Sequence, residues 1–193
     1  MSMAKANPFD ECPVYETERF TCRLVHEDDA EDLFLCYSDP VTASHANGDN
    51  CKGAFRCTSA GVMKDWICGW RNAYAQRTFV RWSVIDKGTG KAVGTMEIAP
   101  LPWGRWFFGK QTPIGILRLD LLSACEQYAV FDQLVGMMAT ALANDFAVNQ
   151  VIMKALPGEQ EKVSALTANQ FQPYALKNST RQHYYIRFCA GKA

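Results

Sequence analysis

The sequence predicts a single-domain α/β (α+β) sandwich, a mixed central sheet with helices on both faces. Three observations predict it. The chain has 193 residues, 48% apolar and 12% aromatic, which is ample material for one core. Near its middle two β-rich runs flank Lys87-Gly-Thr-Gly-Lys91, a strong hairpin signal. Around that hairpin the elements alternate between strand and helix patterns, as layered α/β folds do.

Element by element, residues 1–15 read as an irregular arm, and residues 20–25, Phe-Thr-Cys-Arg-Leu-Val, as a strand. His26-Glu-Asp-Asp29 then places acids at a helix N-terminus. Ala30, Leu33, Phe34 and Tyr37 keep helical spacing until Asp39-Pro40 stops the helix. Residues 41–56 read as a polar loop. Thr58 or Ser59 caps a second helix whose apolar stripe is Val62, Met63, Trp66, Trp70 and Tyr74; that stripe is either core or the wall of a substrate cleft.

Residues 78–86 and 92–99 form the hairpin. Trp103, Trp106, Phe107 and Phe108 crowd the segment 100–110, either as a surface for self-association or ligand, which implies a homodimer, or as a second hairpin folded on its own sheet. Residues 112–123 are a strand and 128–147 a long helix, buried through Phe131, Leu134, Val135, Met138, Leu142 and Phe146. Gly136 within it implies a close backbone approach or an accident of sequence. A strand at 150–156, a helix from Glu159 to about Asn169 and a strand at 183–188 close the chain.

Twenty Lys+Arg balance twenty Asp+Glu, so bulk charge offers no grip on nucleic acid. The sequence has no apolar run of membrane-spanning length, and its first residues lack the apolar stretch of a secretory signal, so no membrane partner and a cytoplasmic location are expected. In a reducing compartment the eight cysteines are thiols, and none forms a C-x-x-C pair. His45, Cys51 and Cys57 would supply at most three ligands, so no metal is expected.

Several stretches carry a family resemblance. Glu16-Thr-Glu-Arg-Phe-Thr-Cys-Arg-Leu-Val-His-Glu-Asp-Asp-Ala30 resembles the opening of the GCN5-related N-acetyltransferases (GNAT), in the branch of the ribosomal-protein alanine acetyltransferases. Tyr37-Ser-Asp-Pro40 is similar to the end of that branch's first helix. Residues 85–95 are similar to its central hairpin and 146–152 to its helix-to-strand step. Leu166 and Phe171 keep the spacing of its last helix and the following aromatic.

The resemblance spans residues 16–188. It implies a mostly antiparallel GNAT sheet whose splayed parallel strands admit acetyl-CoA. The implied reaction moves an acetyl group to an amine of a small molecule or a protein N-terminus. The implied contacts to the cofactor are Leu121, Leu122 and Ser123 along the strand end, Ala129, Val130 and Phe131 at the start of the long helix, and Lys162, which either meets a phosphate or is a solvated lysine on an exposed helix face.

The sequence departs from the family where the diphosphate would sit. The Arg/Gln-x-x-Gly-x-Gly/Ala signature falls on Glu126-Gln-Tyr-Ala-Val-Phe131, and no glycine occurs from Ile116 to Val135. Glu126 and Asp132 would oppose a diphosphate, by about 1 kcal/mol per charge pair in water at about 4 Å and about 4 at intermediate dielectric. The family's Asn-x-x-Ser positions fall on Glu159 and Lys162, and the tyrosine common among related enzymes falls on Leu166. Glu97 is the first candidate for a base, acting directly or through water, or else a solvent-facing strand carboxylate; Tyr174 and His183 are further candidate proton carriers, or else surface or packing residues. Cys125 beside the helix start is either activated by the dipole or a buried, inert thiol. The rival to an enzyme is a binding or assembly module that has lost acetyl-CoA.

Overall fold

Alternating apolar and polar positions in the strands make a sheet with two unlike faces, and helices cover both. The computed structural model describes residues 6–48, 55–101, 113–175 and 182–189. Eight strands form one sheet: β1 (Tyr15–Glu16), β2 (Phe20–Leu24), β3 (Val80–Asp86), β4 (Ala92–Leu101), β5 (Ile114–Leu121), β6 (Gln150–Lys154), β7 (Gln172–Tyr174) and β8 (Tyr184–Phe188). Their order is β1-β2-β3-β4-β5-β6-β8-β7, and every pair is antiparallel except β5–β6. The expected mixed, mostly antiparallel sheet is therefore present.

The helices are α1 (Ala30–Ser38), preceded by the 3-10 turn Glu27–Asp29; α2 (Pro40–His45); α3 (Ala60–Ala75); α4 (Tyr128–Met137); and α5 (Gln160–Ala168). A π-helical segment, Met138–Leu142, and a last turn, Ala143–Asp145, continue α4. Ser59 caps α3 by accepting the Val62 amide, as expected.

One expectation is corrected. Residues 40–45 are helix, because the Asp39 side chain accepts the Val41 and Thr42 amides and Pro40 occupies the first turn, where its missing N–H costs nothing. Asp39-Pro40 therefore ends one helix and caps the next. The short pairings β1 and β7 add edges that residue patterns do not announce. The aromatic segment at 103–108 and Cys51 lie outside the described residues.

On one face, Trp82, Met96, Ile98, Leu117, Leu119 and Leu121 pack with Val130, Phe131, Leu134 and Val135 of α4 and with Ala165 and Leu166 of α5. Each such side chain contributes roughly 1.5–3 kcal/mol by leaving water. At Gly136 the close neighbour is a side chain and not backbone, since a Cβ there would meet Asn169 Oδ1 at 2.8 Å. On the other face, under α1 and α3, the middle strands present charge.

Arg23, Ser83, Thr95 and Asp120 form one row across β2–β5, and Arg81, Glu97 and Arg118 the next across β3–β5. Asp29 holds Arg23 at 2.6 and 2.9 Å and accepts from Ser83 at 2.6 Å. The Tyr37 hydroxyl, fully buried, donates to Asp120 at 3.1 Å and shares a 2.7 Å hydrogen bond with Thr95. Buried polar groups are tolerated because they satisfy one another. Among the described residues no helix is long and apolar enough to cross a membrane.

Candidate functional site in the opening between β5 and β6

Parallel strands β5 and β6 are paired from Ile114–Gln150 to Leu117–Met153. β5 then runs four residues further, to Leu121, without β6 beside it. Arg118 and Lys154 are the first residues past the last pair. The ladder thus ends in the region where the resemblance implies a splay.

The segment Asp39–Gly48, α2 and the turn after it, lies across this opening. Asp39 accepts from Ser123 Oγ at 2.6 Å, and Thr42 Oγ1 donates to the Leu121 carbonyl at 2.9 Å. His45 Nε2 meets Glu126 Oε1 at 2.6 Å. The Asn47 amide donates to Asp120 Oδ1 at 3.2 Å, and Lys154 Nζ donates to the Gly48 carbonyl at 2.6 Å. The space left among His45, Asp120, Lys154, Glu159 and Lys162 is about 20 Å³, room for about one water.

Charges in the opening are paired. Lys162 is 4% exposed and donates to Glu159 Oε1 at 3.0 Å, so the solvated lysine that an exposed helix face would give is not found. Burial alone would lower the Lys162 pKa, but attraction by Glu159 and Asp120 outweighs it and holds it above the usual lysine value. Burial likewise opposes ionisation of Glu159, and Lys162 together with the Leu156 amide reverses that, so its pKa lies below the usual range. For His45, burial favours the neutral ring, yet the hydrogen bond and charge of Glu126 prevail, with Glu159 adding to them. Its pKa is raised above 6.5.

Between the starts of α4 and α5 lies a cleft of about 230 Å³ lined by Glu126, Phe131, Gly158, Glu159, Gln160, Glu161 and Lys162. The N-cap residue Gln127 makes no side-chain capping bond to the start of α4. Val130 and Phe131 donate their amides to the Gln127 carbonyl, at 3.0 Å each, so these two are engaged within the helix. Ala129 is exposed in the first turn. Leu122 donates its amide to Val93 on β4, Ser123 is tied to Asp39, and the Leu121 carbonyl to Thr42. Asp132 turns away from the cleft, accepting from Asn169 Nδ2 at 2.8 Å.

Glu97 and Tyr174 are not brought together. Glu97 is 1% exposed and clamped between guanidiniums: Arg81 Nε donates to Oε2 at 2.7 Å, and Arg118 pairs with Oε1. Tyr174 pairs with Tyr184, itself paired with Lys154, which sets it two strands from the edge of the opening. His183 is exposed at the start of β8. Burial pushes the Cys125 thiol up, which fits an inert packing thiol.

Trp70 of α3 stacks over the Arg81 guanidinium at 4.3 Å, and Trp66 stacks on Phe55 at 4.3 Å. Tyr74 instead packs on Phe9. Sequence patterns missed His45 as a partner of Glu126, and no local signal carries it, because 81 residues separate the two.

No protein-family model matches the sequence, and no curated protein matches it. Solved structures do match. An acetyltransferase of the GNAT family from Bacillus anthracis is 12% identical, with a TM-score of 0.68 over 91% of this chain and 98% of its own. The ribosomal L7/L12 α-N-protein acetyltransferase RimL, solved in complex with coenzyme A, is 10% identical, with a TM-score of 0.69 over 91% and 98%. A Salmonella typhimurium acetyltransferase that modifies the N-terminal serine of ribosomal protein L7/L12 is 10% identical, with a TM-score of 0.68 over 92% and 100%. The fold of this chain is the GNAT acetyltransferase fold.

Proposed function

We propose that the chain is an acyl-CoA-dependent N-acyltransferase acting on an amine, carried by a small molecule or a peptide N-terminus. The observation that carries this reading is the parting of β5 and β6 beyond Leu117 and Met153, with the start of α4, which Gln127 does not cap, below it. That framework suits an extended thiol cofactor, and one structural neighbour is a coenzyme A complex. The side chains of Asp39–Gly48 stand in its path, however, so the conformation described does not admit the cofactor. Acetyl-CoA, when bound, supplies the activated acyl group.

What the protein contributes in this reading is alignment. Positioning alone supplies a large part of the rate in amine acylation, so the reaction tolerates few catalytic side chains. Glu126, Glu159 and Glu161 outnumber Lys162 in the lining of the cleft, and this negative excess favours a cationic amine in the encounter. Glu97 holds Arg81 and Arg118 in place, and its role is positioning; Tyr174 is a proton carrier only if the acceptor reaches β7.

A second reading, a binding module without acyl-CoA, is favoured by the contacts that close the opening and by the missing glycines. Thermal unfolding with acetyl-CoA separates the two. Ligand at about 100 times Kd adds about 2.7 kcal/mol, a rise of several degrees in Tm for a domain of this size. An unchanged Tm at millimolar acetyl-CoA overturns the acyltransferase reading.

A further inference from the structure

We propose that Asp39–Gly48 is a releasable latch over the β5–β6 opening and that the His45–Glu126 contact is its pH-sensitive pin. The proposal rests, for what the latch admits, on the acyl-CoA reading above.

Five contacts across the opening hold the segment, beside the Phe55 amide on the Ala43 carbonyl and the burial of Ala43 and Ala46, and they differ in kind. Asp39–Ser123, Thr42–Leu121 and Asn47–Asp120 are hydrogen bonds to the far end of β5 and the turn after it, and Lys154–Gly48 reaches in from β6. His45–Glu126 joins the last turn of α2 to the loop that opens α4, across the mouth itself, with both side chains largely buried. A charged hydrogen bond in that setting is worth roughly twice a neutral one. α2 has six residues, too short to be stable without these contacts. Where they release together, the segment leaves as a unit.

The groups facing His45 are Glu126 before α4, Glu159 and Lys162 on α5, Arg118 and Asp120 on β5, Lys154 on β6 and Asp39 at its own helix start. Asp39 and Glu159 are held below, and Lys162 above, their ordinary values, away from neutrality, whereas histidine's ordinary value lies close to it. His45 is therefore the member of this set that changes charge there. Its pKa is raised, so the stabilisation is full below 6.5 and is lost as pH rises through the raised value. Alkaline conditions loosen the latch, and acid tightens it. Glu126, once released, stays beside the cleft as a like charge to a diphosphate.

The test has two arms. Acetyl-CoA affinity is measured by calorimetric titration at about pH 6 and about pH 8.5 for the wild type, His45→Gln and Glu126→Gln. Backbone hydrogen exchange over residues 41–47 is measured without ligand, corrected for intrinsic rates. His45→Gln keeps a neutral hydrogen bond and removes the charge. It is expected to bind about tenfold tighter than the wild type at pH 6 and equally at pH 8.5. Protection of 41–47 is expected to fall with pH in the wild type and to be low at both pH values in His45→Gln.

Titration of the cofactor's own phosphate is common to all proteins and cancels in the ratio. Glu126→Gln supplies the same comparison where His45→Gln fails to fold, with tighter binding at both pH values. Parallel affinities of wild type and variant at both pH values, or protection indifferent to pH and to substitution, overturn the latch. If no protein binds acetyl-CoA while protection still follows His45, the latch stands and the acyl-CoA reading fails.

Discussion

Glu97 shows how much a residue's meaning depends on its neighbours. From β4 alone it is a strand carboxylate with a free choice of roles; in the folded chain it neutralises Arg81 and Arg118 on strands to either side. Removing its charge withdraws the carboxylate that Arg81 and Arg118 share. Glu97→Gln is therefore expected to lower the unfolding free energy by about 3–5 kcal/mol, measured by urea denaturation. A loss under about 1 kcal/mol would show the triad to be hydrated instead. Gly94, nearby on β4, is constrained differently: a Cβ there would lie 2.2 Å from the Asp120 carbonyl oxygen. Backbone must shift to admit Gly94→Ala, and a loss of at least about 2 kcal/mol is expected in the same assay.

Gly136 was legible as a possible close approach, yet its partner was not. Asn169 lies 33 residues on, and only the packing of α4 on α5 brings its amide over the glycine. Gly136→Ala gains helix propensity of about 1 kcal/mol and must displace an Asn169 side chain that bonds Asp132 and Ala165. The expected net result is a destabilisation of about 1 kcal/mol, read from the urea midpoint; a more stable variant would show that Asn169 yields freely.

Among the elements, those with a repeating apolar pattern or explicit punctuation were predictable: β2, the β3–β4 hairpin, α3, α4 and β8. Ser59→Ala removes the cap of α3 and is expected to cost about 1 kcal/mol in thermal unfolding. α2 escaped prediction because its six residues, Pro-Val-Thr-Ala-Ser-His, hold no apolar stripe of their own. Its stability comes from Asp39 at one end and from β5 and Glu126 at the sides. β1 and β7, of two and three residues, exist only because a neighbouring strand offers its edge.

For the whole molecule, the zero net charge conceals an organised interior. Burial opposes ionisation of Asp29, Asp39, Asp86 and Glu159, yet hydrogen bonds and cations keep their pKa values below the usual 3.8 and 4.5. Such depressed groups contribute stability that is full above those usual values and is lost as pH falls through the lowered ones. His45 adds stability of opposite sign, present in acid and lost as pH rises past its raised value. The urea midpoint is therefore expected to rise modestly from about pH 8.5 to about pH 6 and to fall steeply below about pH 4. A midpoint flat down to pH 3 would contradict the buried carboxylate network.

By itself the sequence determined the class of fold, the order of its main elements and the absence of glycine from Ile116 to Val135. Hydrophobic periodicity and turn chemistry are local properties, and they are written into neighbouring residues. The tertiary structure decided what lies in the opening between β5 and β6. His45 and Glu126, Lys154 and Gly48, and Thr42 and Leu121 are 81, 106 and 79 residues apart. No pattern in the chain pairs them, because their meeting depends on where β5 and β6 part and on which helix fills the space.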